Sequence, residues 1–125
     1  MIRSNAIIVA IAGVVAAGIA NTAVQAADST RVQFALEVAV GKIAEECRKV
    51  GAGQRIAYSF ESAAPMDFNI HYHRGNDVAY PVKQDAVQRA DATFTAETAE
   101  EYCWMWSNRS TAPIRISGWL DSAVP

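Results

Sequence analysis

His71-Tyr72-His73 and the pair Cys47 and Cys103 are the side chains of this 125-residue sequence best suited to chemistry, and they account for all of its histidines and cysteines. On a β-strand, His71 and His73 project from one face, close enough for their imidazole nitrogens to share one Zn²⁺ or Cu²⁺ ion. A complete site needs a third ligand. Asp67 or Asn69 on the same face would supply it, or a carboxylate or Met from a neighbouring strand. The plainer alternative is that both rings pair with polar neighbours across the strand. A blue-copper centre fails on order, since it takes Cys, His and usually Met close together in a late loop, and no His follows Met105. A thiol nucleophile with a His base requires a free cysteine, and a bare count of Cys and His is weak support for one. No glycine-rich phosphate loop, metalloprotease motif or serine-elbow motif is present. Glu45-Glu46 and Glu100-Glu101 are adjacent in sequence and read as solvated, not as an acid/base pair.

The elements that must position these groups are strands. In Asp67-Phe68-Asn69-Ile70-His71-Tyr72-His73 every odd position is polar and every even one apolar or aromatic, a period of two with one face packed and the other turned to water or a ligand. In Tyr102-Cys103-Trp104-Met105-Trp106-Ser107-Asn108 both faces carry large or sulfur-bearing groups, as in a strand at the middle of a sandwich. Val32, Phe34, Leu36, Val38 and Val40 alternate likewise, and Ile56, Tyr58 and Phe60 form another set, which Ser62 to Pro65 should end. The segment from Ile43 to Val50 is compatible with a strand or a short helix, because Ala44-Glu45-Glu46 is locally helix-favouring; Gly51-Ala52-Gly53 turns the chain in either case. Arg74-Gly75-Asn76-Asp77 has the composition of a tight hairpin turn, with Val78-Ala79-Tyr80 returning and Pro81 closing the strand. Residues 83–92 are polar and weakly patterned, Ala92 to Ala96 suits a short strand around Phe94, and Pro113 precedes a last strand at Ile114, Ile116 and Trp119. The expected fold is an all-β antiparallel sandwich of about seven to eight strands.

The N-terminus carries one cation, Arg3, and then an uncharged run from Ala6 to Ala20, after which Val24-Gln25-Ala26 supplies small residues at the positions before a cleavage site. That is the pattern of a signal peptide cleaved after Ala26, with an uncleaved membrane anchor as its rival; the run is shorter than the ~20 apolar residues of a membrane span. Residues 27–125 then form one domain, exported to the periplasm or secreted, with no membrane span in the mature chain. The formal net charge of −2 becomes −3 without Arg3, and the remaining Lys and Arg are scattered, which argues against a nucleic-acid surface. In an oxidising compartment the single possible pair, Cys47 and Cys103, would form a disulfide, the alternative being two separate buried thiols. Tyr58, Tyr72, Tyr80, Trp104, Trp106 and Trp119 should mostly be core, and any left exposed beside Asn69, His71 and His73 would suit a protein, a glycan or a lipid headgroup. Asn108-Arg109-Ser110 matches the glycosylation acceptor pattern.

Tyr102, Trp106 and Asn108, followed by a short polar stretch and a last strand from Pro113 to Gly118, resemble the C-terminal half of a GOLD domain, the β-sandwich of p24/emp24 cargo receptors and some Sec14-like proteins. Cys47 before a turn, Gly53, Tyr58-Ser59-Phe60 and the strand from Phe68 to Tyr72 are also similar, so that the resemblance covers roughly residues 32–119. It implies a bridge between Cys47 and Cys103 and a non-catalytic interaction module. Cys103 follows the Tyr by one residue instead of the family's usual three, Glu100 stands where a Gly is common, and the coiled coil and transmembrane tail of the receptors are absent, so receptor function is not implied. The expected protein is therefore a non-enzyme without cofactor. It would bind a partner through the face bearing Asp67, Asn69, His71 and His73, with metal binding by His71 and His73 as the alternative and a hydrolase as a third reading that lacks any motif.

Overall fold

Alternating apolar residues and frequent turn signals favour extended chain almost everywhere, and the computed structural model, which describes residues 30–122, contains strands and no helix. The strands are β1 (Arg31–Val38), β2 (Ile43–Val50), β3 (Arg55–Arg74), β4 (Asp77–Thr95), β5 (Glu100–Ser107) and β6 (Ile114–Asp121), all antiparallel in one six-stranded sheet. The leader and its cleavage point lie outside the described residues.

The sheet is organised around β3. Its first half pairs with β6 at Ala57–Ser62 and its second half with β5 at Asp67–His71, while β4 runs along its other side throughout. β1 continues the sheet beyond β6, and β2 beyond β5. The two halves curl until side chains from either half of the same strand meet: the rings of Phe60 and Phe68 are 4.8 Å apart, and both lie against Trp106. The core is aromatic. Tyr58, Phe60, Phe68, Phe94, Tyr102, Trp104 and Trp106 are all buried, with Ile56, Ile70, Ile114, Ile116 and Leu120 filling between them. The indole N–H groups of Trp104 and Trp106 have no acceptor in this interior, a cost of about 1–3 kcal/mol each. The 150–250 Å² that a typical aromatic side chain buries more than offsets it.

Six strands replace the seven or eight expected because two expected breaks are not breaks. Ser62 to Pro65 was the anticipated end of a strand, yet β3 runs through it. The missing proline N–H is accommodated in a shift of register between Glu61 and Met66. Pro81 likewise sits inside β4, next to a second irregularity, on an edge where one side of the strand needs no ladder. The polar, weakly patterned residues 83–92 are the exposed part of that edge strand, and the expected short strands at 78–80 and 92–96 are its two ends. Ala86 there has a φ of +53° and donates its N–H to Asp67 Oδ1 at 3.1 Å, so the bulge is held by a side chain. Ile43–Val50 is a strand, because pairing with β5 overrides the local helical preference. The segment expected to run to Val40 ends at Val38, and Val40 lies exposed beyond it.

Asn108, just past β5, is 1% exposed and ties three segments together. Its amide nitrogen donates to the carbonyls of Val38 and Ala112, both at 2.9 Å, and its Oδ1 accepts from the backbone and hydroxyl of Ser110. Its backbone bonds Gly41 and Lys42. The glycosylation reading is thereby corrected: the amide is buried and fully used. Asn108→Ala should cost about 3 kcal/mol, since it strands two carbonyls and removes the acceptor that shapes the following loop. Urea denaturation followed by tryptophan fluorescence would measure this, and a loss under about 1 kcal/mol would contradict the assigned role.

Candidate functional site

The odd-numbered residues of β3 from Asp67 to His73 share the outer face of the sheet with Cys103 and Met105 of β5 and Ile43, Glu45 and Cys47 of β2. Cys47 and Cys103 are register partners and form a disulfide, so neither is a free thiol and a cysteine nucleophile is ruled out. The bridge lies in one row with His71, the register partner of Cys103 on β3.

The four residues expected to form the binding face do share one surface but have different surroundings. Asp67 is half-buried and committed: Arg109 Nε lies 2.7 Å from its Oδ2, and its other oxygen holds Ala86. Asn69 and His71 are buried, and only His73 is open to solvent. His71 Nδ1 is 2.8 Å from Asn69 Oδ1, and His71 Nε2 is 3.2 Å from Glu45 Oε1, reached across β5. The His73 ring stands 5.2 Å from that of His71, nearly perpendicular to it, and Tyr80 of β4 closes the other side at 5.7 Å. Lys83 stands 5.6 Å above the Tyr80 ring. Tyr80 is 48% exposed and Ile43 57%, whereas Trp104, Trp106, Tyr102 and Tyr58 are core.

Glu45 is exposed, as its place in the sequence suggests, but the structure also brings its carboxylate to His71. The signal was available in its spacing: it stands two residues before Cys47, on the same strand face as the cysteine that bridges to β5. Among the described residues, one group of three possible metal-ligating side chains converges, Glu45, His71 and Cys103, with ligand atoms within 4.8 Å of one another. The sulfur is taken by the disulfide.

Burial holds the His71 pKa below the usual histidine value, with the Glu45 charge working against this and His73 adding to it. The folded state thus favours the neutral ring more than the unfolded chain does. Stability from this source is complete above the unfolded value of about 6.5 and is lost as pH falls through the lower folded value. In chelator-containing buffer the urea midpoint should therefore fall between pH 7 and pH 5. His71→Gln should flatten that fall, and an unchanged profile in the variant would remove His71 as its source.

No protein-family model matches the chain, and no curated protein matches its sequence. The resemblance to the GOLD domain therefore rests on the quoted residues, and what the structure shares with such domains is an all-β antiparallel fold. Among the described residues no helix is long and apolar enough to cross a membrane. The fold itself has solved counterparts. PliG of Aeromonas hydrophila, a periplasmic inhibitor of g-type lysozyme, superimposes with a TM-score of 0.56 at 16% identity, over 78% of this chain and 91% of that one. The Yersinia pseudotuberculosis-derived mitogen YPM superimposes with a TM-score of 0.53 at 11% identity, over 78% of this chain and 89% of that one. At these identities the likeness is one of fold: the chain shares an all-β architecture with an inhibitor and a mitogen.

Proposed function

We propose that this chain is an exported, non-catalytic module that binds a protein partner through the outer face of β2, β5, β3 and the first part of β4. The observation that carries the reading is the make-up of that face. A buried polar strip of Asn69 and His71 is fixed by hydrogen bonds and rimmed by exposed Tyr80, Ile43 and His73, on strands joined by a disulfide. Aromatic and apolar side chains around a fixed polar centre bind with little loss of conformational freedom. Three further points support the reading: the signal-like leader, the bridge suited to an oxidising periplasm or extracellular space, and a fold also used by an inhibitor and a mitogen. The GOLD resemblance implies the same kind of use.

The first partner to test is a g-type lysozyme, with c-type lysozymes, glycans and lipid vesicles as comparison analytes, all measured against immobilised mature protein. Saturable binding to a protein analyte, weakened at least tenfold by Tyr80→Ala, is the expected result. Saturable binding to glycan or vesicle alone, or protein binding indifferent to Tyr80→Ala and Ile43→Asp, would overturn the assignment of partner or face.

A further inference from the structure

His71 has an oxygen on each ring nitrogen, Asn69 Oδ1 on Nδ1 and Glu45 Oε1 on Nε2. A neutral imidazole donates from one nitrogen only, so one of these contacts would set a lone pair against an oxygen. Turning the Asn69 amide over, so that Nδ2 donates to Nδ1 while Nε2–H donates to Glu45, gives a neutral metal-free state that a titrated cation must displace. With the Asn69 oxygen kept toward the ring, two chemical states satisfy both contacts. One is the imidazolium, which is poorly suited to a side chain left only 5% exposed. The other is a ring that donates Nδ1–H to Asn69 while Nε2 and the Glu45 carboxylate share a cation. Hydrogen bonding of the distal nitrogen to a fixed oxygen is the usual arrangement around a metal-bound histidine.

The distances agree with the second state. Ligand atoms about 2.0–2.1 Å from a tetrahedral zinc lie about 3.3 Å from each other. His71 Nε2 and Glu45 Oε1 are 3.2 Å apart, a gap that needs little change when an ion replaces the shared proton. Two imidazole centroids bound to one such ion fall about 5 Å apart, and those of His71 and His73 are separated by 5.2 Å. His73 is exposed, so its ring can turn toward the ion. The other expected ligands are engaged elsewhere: Asp67 with Arg109 and Ala86, Asn69 with the distal nitrogen of His71, and Cys103 with Cys47.

We propose that Glu45, His71 and His73 bind one divalent transition-metal cation of the zinc type, with water completing the coordination and Asn69 orienting His71. Two imidazoles and a carboxylate suit Zn²⁺ and Cu²⁺ far better than Ca²⁺ or Mg²⁺, which take oxygen ligands. The site lies on the face proposed to meet the partner, its occupancy is read without any partner present, and it requires the disulfide to be intact, which leaves the thiols out of the coordination.

The test is calorimetric titration of the oxidised mature protein with Zn²⁺ at pH 7.5, its bridge verified by mass. Glu45→Gln and His73→Ala, both at exposed positions, serve as the main variants. One ion per chain is expected, with affinity at least tenfold weaker in each of these variants and 10- to 100-fold weaker in Asn69→Ala. Nitrogen-15 spectra of the histidine rings give a second reading, in which Zn²⁺ should move the His71 Nε2 resonance and leave the proton on Nδ1. Absence of saturable binding, or binding unchanged in Glu45→Gln and His73→Ala, would overturn the proposal. So would a shift confined to His73. Neither result bears on the lysozyme and Tyr80 measurements, so the two readings fail separately.

Discussion

Gly118→Val is expected to abolish the cooperative thermal transition, and Gly118→Ala to cost more than about 3 kcal/mol, beyond the usual range for a small overpacking change. Gly118 lies in β6 between Phe34 of β1 and Phe60 of β3, its register partners on either side. A Cβ at this position would press into the Ser59 carbonyl oxygen and approach the Phe34 ring to 2.8 Å and the Phe60 Cα to 2.9 Å. Two of the three obstacles are backbone atoms of a strand paired on both sides, so relief requires moving a ladder. The ring that covers the glycine also packs on Trp106 at 4.9 Å, which carries the disturbance into the aromatic core. Near-ultraviolet circular dichroism during heating would record the loss. Adding Phe34→Ala should not rescue Gly118→Ala, because the backbone clash remains; full rescue, or a midpoint within a few degrees of the parent, would refute the account.

The second large effect is expected from Cys47→Ala/Cys103→Ala. The bridge closes 56 residues of chain, and in the chain-entropy model its removal costs about 4 kcal/mol. A domain of this size has a total stability of roughly 5–15 kcal/mol, so the loss is a large share of the whole. The location adds to the effect. Among the described residues β2 pairs with β5 and no other strand, and its alternate residues are largely exposed until Val50. Urea denaturation of the double variant beside the parent measures the difference, and a change below about 1 kcal/mol would mean that pairing alone secures β2.

Much of the fold was legible because period two survives wherever one face is buried. Tyr102, Trp104 and Trp106 point inward and Cys103 outward as their alternation requires, and β5 does sit between two neighbours. Continuity was harder to read. Pro65 and Pro81 are strand breakers by local chemistry, and only the register shifts of a long hairpin with an open edge make them tolerable. The polar stretch in β4 lost its alternation because the strand is mostly exposed on both faces. In the candidate site, the shared face of Asp67, Asn69, His71 and His73 followed from spacing, but their burial did not, since it depends on Tyr80 and Glu45 arriving from other strands. Asn108 misled for a similar reason: a motif of three residues says nothing about the carbonyls of Val38 and Ala112 that claim its amide.

The pairing of β1 with β6 joins the two ends of the described chain, Arg31 opposite Asp121 and Val38 opposite Ile114, with Arg31 stacked on Trp119. The hairpin of β3 and β4 can close locally around Gly75 as soon as it is made. β1 must instead wait for the last strand to be synthesised and laid against β3. A chain leaving the ribosome or a translocation pore N-terminus first thus carries Val32, Phe34 and Leu36 without a strand partner until β6 has followed β2, β3, β4 and β5. The eight residues of β6 set the moment at which β1 gains its ladder, a long-range step that no local hairpin can replace.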